Sequence, residues 1–296
     1  MKSFGSQSDG QGFDPNPMMM ATPEEFDVLI CTHRLDSELR GALASCFDQS
    51  LLPSSVVLVV NSLAIGTAEQ ACLDGLVRSW PALRVLTTPV RGLIFSLNLG
   101  LHACKAPLVA RMDADDVALP NRFALQVEWM RTHPETTILG TFYQRIDGQG
   151  HPVDVVRMPT ADAKIRRALL WGNPLCHPSV MYRRQAILDL GGYYGGLHAE
   201  DYDLWLRARR RGSLQFANLP EVCLSYRVRA AGEARRSRHA YASVLASQVH
   251  QVATGGGFAW VVAALWTFVK LVFRSSRAES SQHDSYCLEE DQQIHR

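Results

Sequence analysis

Asp113-Ala114-Asp115-Asp116 places three carboxylates within four consecutive residues. Aspartates also begin turns and cap helices, so one of them alone would signify little. Packed together without a cation, three would repel one another and raise each other's pKa, at a cost of about 1 kcal/mol or more per unit shifted. A bound divalent cation removes that repulsion. Oxygen-only ligands suit Mg²⁺ or Mn²⁺, which keep several waters and share phosphate oxygens, so the run reads as a cradle for a metal ion and a diphosphate. A second acidic group, Glu200-Asp201-Tyr202-Asp203, opens a helical pattern. There the helix dipole alone favours negative charge by roughly 0.3–1 kcal/mol.

The elements that must position these groups follow from the apolar pattern. Phe26–Thr32, Val56–Asn61, Leu83–Thr87 and Leu108–Met112 are short runs apolar at nearly every position, and they predict strands. Helical patterns at about 37–49, 67–80 and 93–104 separate them. Such an alternation implies a parallel sheet covered on both faces, an α/β arrangement with ligands beyond the carboxyl ends of the strands. The fourth strand runs straight into Asp113, which puts the acidic run at the ligand-binding edge. After a helix near 120–133 the alternation breaks. Thr136–Ile146 and Pro152–Met158 flank Asp147-Gly148-Gln149-Gly150 as a hairpin. A helix near 161–171, a strand near Ser179–Tyr182, a helix from about Asp201 to Gly212 and short strands up to Arg229 follow. The sheet is therefore expected to be mixed.

Composition narrows the partners. The chain has 296 residues, 47% of them hydrophobic, enough for a sizeable core. Thirty basic and 29 acidic residues leave a net charge of +1, which offers no field for nucleic acid. Seven scattered cysteines, with no close metal-binding pair, fit thiols in a reducing compartment. Residues 1–25, rich in Gly, Ser, Gln, Asp and Pro, read as a disordered tail without a secretory signal. Gly257–Phe273 is nearly unbroken apolar sequence with one charge, Lys270. It is slightly short for a membrane span, and Arg235, Arg236 and Arg238 before it and Arg274 and Arg277 after it are basic on both sides. Segment 231–275 is thus expected to be helical and embedded in one leaflet at the cytoplasmic face, with Trp260 and Trp266 at the interface and a core or dimer helix as the alternative. Residues 276–296 form a polar tail.

The segment Ala110-Arg111-Met112-Asp113-Ala114-Asp115-Asp116 followed by Leu119-Pro120-Asn121-Arg122 resembles the "ARMDADD…LPxR" signature of family 2 glycosyltransferases, and the similarity spans roughly Phe26 to Arg229. That resemblance implies the GT-A type fold over 26–230, a mixed sheet flanked by helices. It also implies an inverting transfer of sugar from a nucleotide-diphosphate donor, a UDP-sugar foremost, to a glycan or lipid-linked glycan acceptor. By residue-wise match, Asp113 would contact the donor ribose and Asp115 would bind the metal, with Asp116 a further candidate. Val28-Leu29-Ile30-Cys31-Thr32-His33-Arg34 resembles the first strand and the turn that receives the base, putting Thr32 and Arg34 on the donor. Cys31 and His33 stand where the family usually has proline and tyrosine. Val57–Ser62 resembles the second strand, with Asn61 in place of an aspartate that bonds the base. Arg91-Gly92-Leu93 and Asn98-Leu99-Gly100-Leu101 resemble the helix under the donor.

On the acceptor side, the resemblance makes Asp201 the base that takes the acceptor's proton and Glu200 its orienting partner. His177-Pro178-Ser179-Val180-Met181-Tyr182-Arg183-Arg184 resembles the family's "HPSVMFRR" run. Ser225-Tyr226-Arg227-Val228-Arg229 resembles "YRxH", with Arg229 where a histidine would serve the metal or diphosphate. An arginine there can pair with diphosphate. Two rivals differ from this reading. A sugar nucleotidyltransferase needs a glycine-rich phosphate loop, and Cys31–Ser37 has no glycine. A non-catalytic nucleotide-sugar-binding protein is suggested by Asn61 and Arg229, and opposed by Asp113, Asp115 and Asp201.

Overall fold

The computed structural model describes residues 25–62, 65–195, 199–228 and 238–273. The first and last tails and Arg229 lie outside the described residues. In chain order the elements are β1 Phe26–Thr32, α1 Ser37–Phe47, β2 Ser55–Asn61, α2 Thr67–Ser79, β3 Leu83–Thr88, α3 Leu93–Ala103, β4 Leu108–Asp113, β5 Val117–Ala118, α4 Arg122–Thr132, β6 Thr136–Ile146, β7 Pro152–Val156, α5 Asp162–Ala168, β8 Met181–Arg183, α6 Arg184–Asp189, α7 Glu200–Arg210, β9 Gln215–Arg227 and α8 Arg238–Ala253. A further helix, α9, spans 258–273.

One sheet runs β3-β2-β1-β4-β8-β6-β9-β5, with β7 paired to β6. The first four strands are parallel, and their near-continuous apolar sequence is explained by burial on both faces. Val28, Ile30, Leu58 and Val60 face α1 and α2, whereas Leu29, Val57, Val59 and Val109 face α3 and α7. Beyond β4 the sheet becomes mixed: β8 is antiparallel to both β4 and β6, and β9 is parallel to β6.

Two features of the sheet bear directly on the site. Asp27, buried at the start of β1, accepts from Ser55 Oγ at 2.8 Å, Lys105 N at 2.7 Å and Ala106 N at 3.0 Å. It fixes β1 against β2 and against the turn into β4, and so sets the register that brings Cys31 beside Asp113 at the opposite end. At the hairpin after β6, Asp147 Oδ1 accepts from Gln149 N and His151 N at 2.8 and 2.9 Å, an aspartate-capped turn.

The second half departs from the sequence pattern in three places. The expected short strands near the end are one strand, β9, whose pairing with β6 steps from Thr141↔Leu219 to Phe142↔Val222. Pro220 lies in that step, and a residue without an N–H cannot continue a ladder. Ser179 belongs to a 3-10 turn over His177–Ser179, with Pro178 at its start, and the strand follows it. β5 and α6 are too short to leave a periodic signature.

α9 is apolar all round but buried on one side alone. One stripe, Trp260, Ala263, Ala264 and Thr267, is buried. Trp260 and Ala263 join the cluster that contains Leu204 and Trp205 of α7, and the Arg209 guanidinium sits 5.0 Å from the Trp260 ring. The opposite side, Phe258, Leu265, Trp266, Phe268 and Phe273, is exposed. Among the described residues no helix is long and apolar enough to cross a membrane.

Candidate active site

The carboxyl ends of β1, β2 and β4, with the start of α3, enclose a cavity of about 750 Å³. Its lining includes Thr32, Arg34, Asn61, Arg91, Asp113 and Asp115. The turn after β1 is shaped by Thr32, whose Oγ1 donates to Arg34 O at 2.9 Å and accepts from Arg34 N at 3.0 Å. Asp36 then caps α1 by accepting from Leu39 N. Arg34 and Arg91 are exposed at the cavity. Gly92, at φ 130°, makes the bend by which the chain enters α3.

Asn61 lines the cavity from the end of β2. Ser96 Oγ donates to Gly92 O, so it can only accept from Asn61 Nδ2, at 2.9 Å. One of the amide's two N–H groups is thereby used, and its carbonyl oxygen remains able to accept, as the carboxylate of the related motif would.

Asp113, Asp115 and Asp116 offer oxygens that all lie within 4.8 Å of one another. Asp113 ends β4 and Asp115 lies in the turn beyond it. Asp116 is buried, with Oδ1 accepting from Arg227 N at 2.8 Å and Oδ2 lacking a hydrogen-bond partner. Burial first, and then the Asp113 charge, push its carboxyl well above the ordinary carboxylate range. A buried carboxylate oxygen without a partner, beside two further carboxylates, fits a divalent cation. Arg227 fixes this turn from β9: Nε donates to Asp115 O at 3.0 Å, and Nη1 donates to Asp147 O and Gly148 O.

Arg111 lies beneath the acidic run, 3% exposed, with Nη2 2.6 Å from Asp113 Oδ1. Burial works against its charge, but the Asp113 carboxylate outweighs burial and holds the guanidinium above its ordinary value. The same charge favours ionisation of Glu200 and Asp201 at the start of α7. Arg122, fully buried, donates from Nη2 to Arg111 O at 2.6 Å and from Nε to Gln126 Oε1. Burial lowers its pKa to about 10.

Asp201 accepts from Asn173 Nδ2 at 2.5 Å and from Tyr202 N at 2.7 Å. Burial, and next the Glu200 charge, raise its pKa to about 6. That value suits a group that must take up a proton near neutrality. Glu200 is buried, which raises its carboxyl.

Besides Glu200 and Asp201 at the start of α7, three sequence-predicted residues among those described sit elsewhere than in the cavity lining. Asp116 is beneath it. Asn98 is committed to the backbone of Tyr193: Nδ2 donates to Tyr193 O and Oδ1 accepts from Tyr193 N, both at 2.8 Å. Those two bonds brace α3 against the loop before α7. His177 is buried, its Nε2 3.0 Å from the Tyr193 hydroxyl. Burial, then Arg111, hold it well below the ordinary histidine range, so it is neutral. Sequence reasoning gave no separate role to Arg111, Arg227 or Asn173. A charged residue two positions before Asp113 inside an apolar strand was a readable signal for Arg111, whereas nothing local marks Asn173. Six cysteines among the described residues are free thiols, and burial raises Cys31, on the cavity wall, to about 12.

A sheet with four parallel strands and a mixed second half, and an aspartate cradle at the end of the fourth strand, is the GT-A fold of nucleotide-sugar transferases. The sequence profile of glycosyl transferase family 2 matches residues 27–191, and the chain belongs to that family and is a glycosyltransferase. It is 32% identical over 204 residues to the amylovoran biosynthesis glycosyltransferase AmsE of Erwinia amylovora, covering 68% of this chain and 76% of that one. It is 29% identical to the O-antigen biosynthesis glycosyltransferase WbnJ of Escherichia coli, covering 71% and 82%. The mannosyltransferase PcManGT of Pyrobaculum calidifontis, solved with GDP-Man and Mn²⁺, shares the fold with a TM-score of 0.57 at 16% identity, covering 85% of this chain and 72% of that one.

Proposed function

We propose that the protein transfers a sugar, with inversion and in a metal-dependent reaction, from a nucleoside-diphosphate sugar to a hydroxyl of a growing surface glycan. UDP-sugars are the foremost donors in this reading. The observation that carries it is the pairing of two carboxylate groups of different character. Asp113, Asp115 and Asp116 converge within 4.8 Å beside a cavity that Arg34 and Arg91 also line. Asp201, raised to about 6, stands apart at the start of α7. The complex of PcManGT with GDP-Man and Mn²⁺, and the biosynthetic roles in the names of AmsE and WbnJ, support donor, metal and acceptor class.

Asp115 and Asp113, with Asp116 behind them, would hold the cation, and bound there it would neutralise charge on the leaving diphosphate. The chain's own residues do the rest. Thr32 and Asn61 place the nucleoside, and Arg34 and Arg91 supply positive charge towards the diphosphate. Asp201 takes the proton from the acceptor hydroxyl. The acceptor oxygen forms a bond to the anomeric carbon as the bond from that carbon to the diphosphate oxygen breaks, on the opposite face. Glu200 and Asn173 orient Asp201.

A panel of nucleoside-diphosphate sugars incubated with the protein and Mn²⁺ tests this reading. Release of the nucleoside diphosphate from one of them is expected, and the absence of release or binding across the whole panel would contradict the reading. Because Asp201 must be ionised to act, turnover at saturating substrates should fall towards acid through an apparent pKa near 6, about tenfold per unit below it. The check is a kcat profile from pH 4.5 to 8.5, and a flat profile through pH 6 would remove Asp201 as the base.

The acceptor is proposed to be lipid-linked at the cytoplasmic face of the membrane, with the exposed side of α9 lying on one leaflet. Phe258 at 79% and Leu265 at 60% exposure, with Phe268, form an exposed apolar row, and the exposed Arg210 and Arg211 are basic neighbours in sequence of Arg209 beneath Trp260. Removing α9 would also take Trp260 out of the core, so substitution on the exposed side is the cleaner test. Leu265→Gln with Phe268→Gln should leave the melting temperature unchanged and abolish sedimentation with anionic vesicles. Retained vesicle binding would oppose this placement.

A further inference from the structure

Loop 190–195 lies between the helix that borders the donor cavity and the helix that carries Asp201, and it is tied to both. From the donor side, Asn98 of α3 grips the backbone N–H and C=O of Tyr193 with both amide atoms at 2.8 Å. Asn98 stands two residues beyond Ser96, the partner of Asn61, and α3 begins at the cavity wall with Leu93. From the acceptor side, Arg207 of α7 donates from Nη1 to Leu190 O at 2.8 Å and from Nη2 to Gly192 O at 2.7 Å. Its guanidinium also lies 4.4 Å from the Tyr194 ring centre. Inside the protein the Tyr193 hydroxyl is hydrogen-bonded to His177, whose ring meets Trp205 of α7 edge-on at 6.1 Å. Tyr193, His177 and Trp205 are all buried.

Glycine is required for the close approach. Gly192 has φ 76°, and a Cβ there would lie 2.3 Å from Asn98 Oδ1. Trp205 is one helical turn beyond Asp201, so the ring against which His177 packs fixes the face of α7 that presents Asp201. An unbroken set of contacts therefore runs from the donor-side helix through the half-buried Asn98 and the buried Tyr193 and His177 to α7.

We infer that Asn98, Tyr193 and His177 are positioning residues that hold the start of α7, and with it Asp201, in register with the donor cavity. The inference rests on the assignment of Asp201 as the acceptor-side base. Asn98 and His177 then touch neither substrate nor metal, and they act through the geometry of Asp201. A displacement of about 1 Å in a reacting group can cost up to about a hundredfold in rate, so small losses in this chain should be visible in turnover.

Two variants test it. Tyr193→Phe removes one oxygen from the link and preserves the packing, and Asn98→Ala removes the grip on the loop. In each, kcat for transfer should fall roughly tenfold or more, while donor KM and the affinity for UDP or GDP with Mn²⁺ stay within about twofold of native. Amide exchange in residues 199–205 should accelerate about tenfold, with exchange in α3 unaltered. The exchange measurement does not depend on turnover. If the native protein transfers no sugar, the functional reading fails and the exchange experiment still decides whether the link exists. Unchanged exchange in 199–205 in Tyr193→Phe, or loss of nucleotide affinity in parallel with kcat, would overturn the inference.

Discussion

Asp201→Asn should reduce turnover by roughly a hundredfold or more while leaving donor affinity within about twofold of native, the range expected when a general base is lost. The substitution preserves shape and removes the ability to accept a proton. It also tests the site's local chemistry, because Asp201 accepts two hydrogen bonds, from Asn173 and from the Tyr202 N–H, and an amide can accept only through its single oxygen. Any structural penalty should therefore appear at the start of α7 and not in the donor cavity, whose lining excludes Asp201. Steady-state kinetics with saturating donor, together with nucleotide binding by calorimetry, separate the two. Collapse of donor affinity with turnover at saturation unchanged would show that Asp201 had been given the wrong role.

Asp115→Asn should abolish metal-supported donor binding and turnover together, and a chelator should do the same to the native protein, reversibly on addition of Mn²⁺ or Mg²⁺. The reason is electrostatic. Asp116 Oδ2 is buried without a partner, and Asp116 is already pushed upwards by burial and by Asp113. A divalent cation relieves that repulsion, and reducing the carboxylate count lowers the attraction for it. Asp113→Asn should chiefly weaken donor binding, and it also frees Arg111 from the ion pair at 2.6 Å. Assays in the presence of chelator, with metal restored, provide the check. Full turnover in chelator would remove the metal from the mechanism.

The four parallel strands were legible because burial on both faces forces them to be apolar at nearly every position, as in Val56-Val57-Leu58-Val59-Val60. Asp113 at the strand end was legible for the same reason, since an abrupt acidic run after such a strand can only stand at its exposed edge. What sequence could not show was direction and commitment. Asn98 looks identical in sequence whether it faces a ligand or grips Tyr193, and only the positive-φ Gly192, 94 positions further on, decides between them. Asn173 bonds Asp201 from a loop without periodicity. α9 carries apolar residues on every side, so no pattern revealed that Trp260 is buried while Leu265 and Phe268 are exposed.

The division of labour between the two acidic groups is tested most directly by titrating UDP-sugar, or the nucleoside diphosphate released in the donor screen, into native protein, Asp115→Asn and Asp201→Asn, each with and without Mn²⁺. Metal-dependent binding is predicted for the native protein and for Asp201→Asn at closely similar affinity, and its loss is predicted for Asp115→Asn. Equal binding by all three, or binding indifferent to Mn²⁺ in the native protein, would contradict the placement of the donor diphosphate at Asp113 and Asp115.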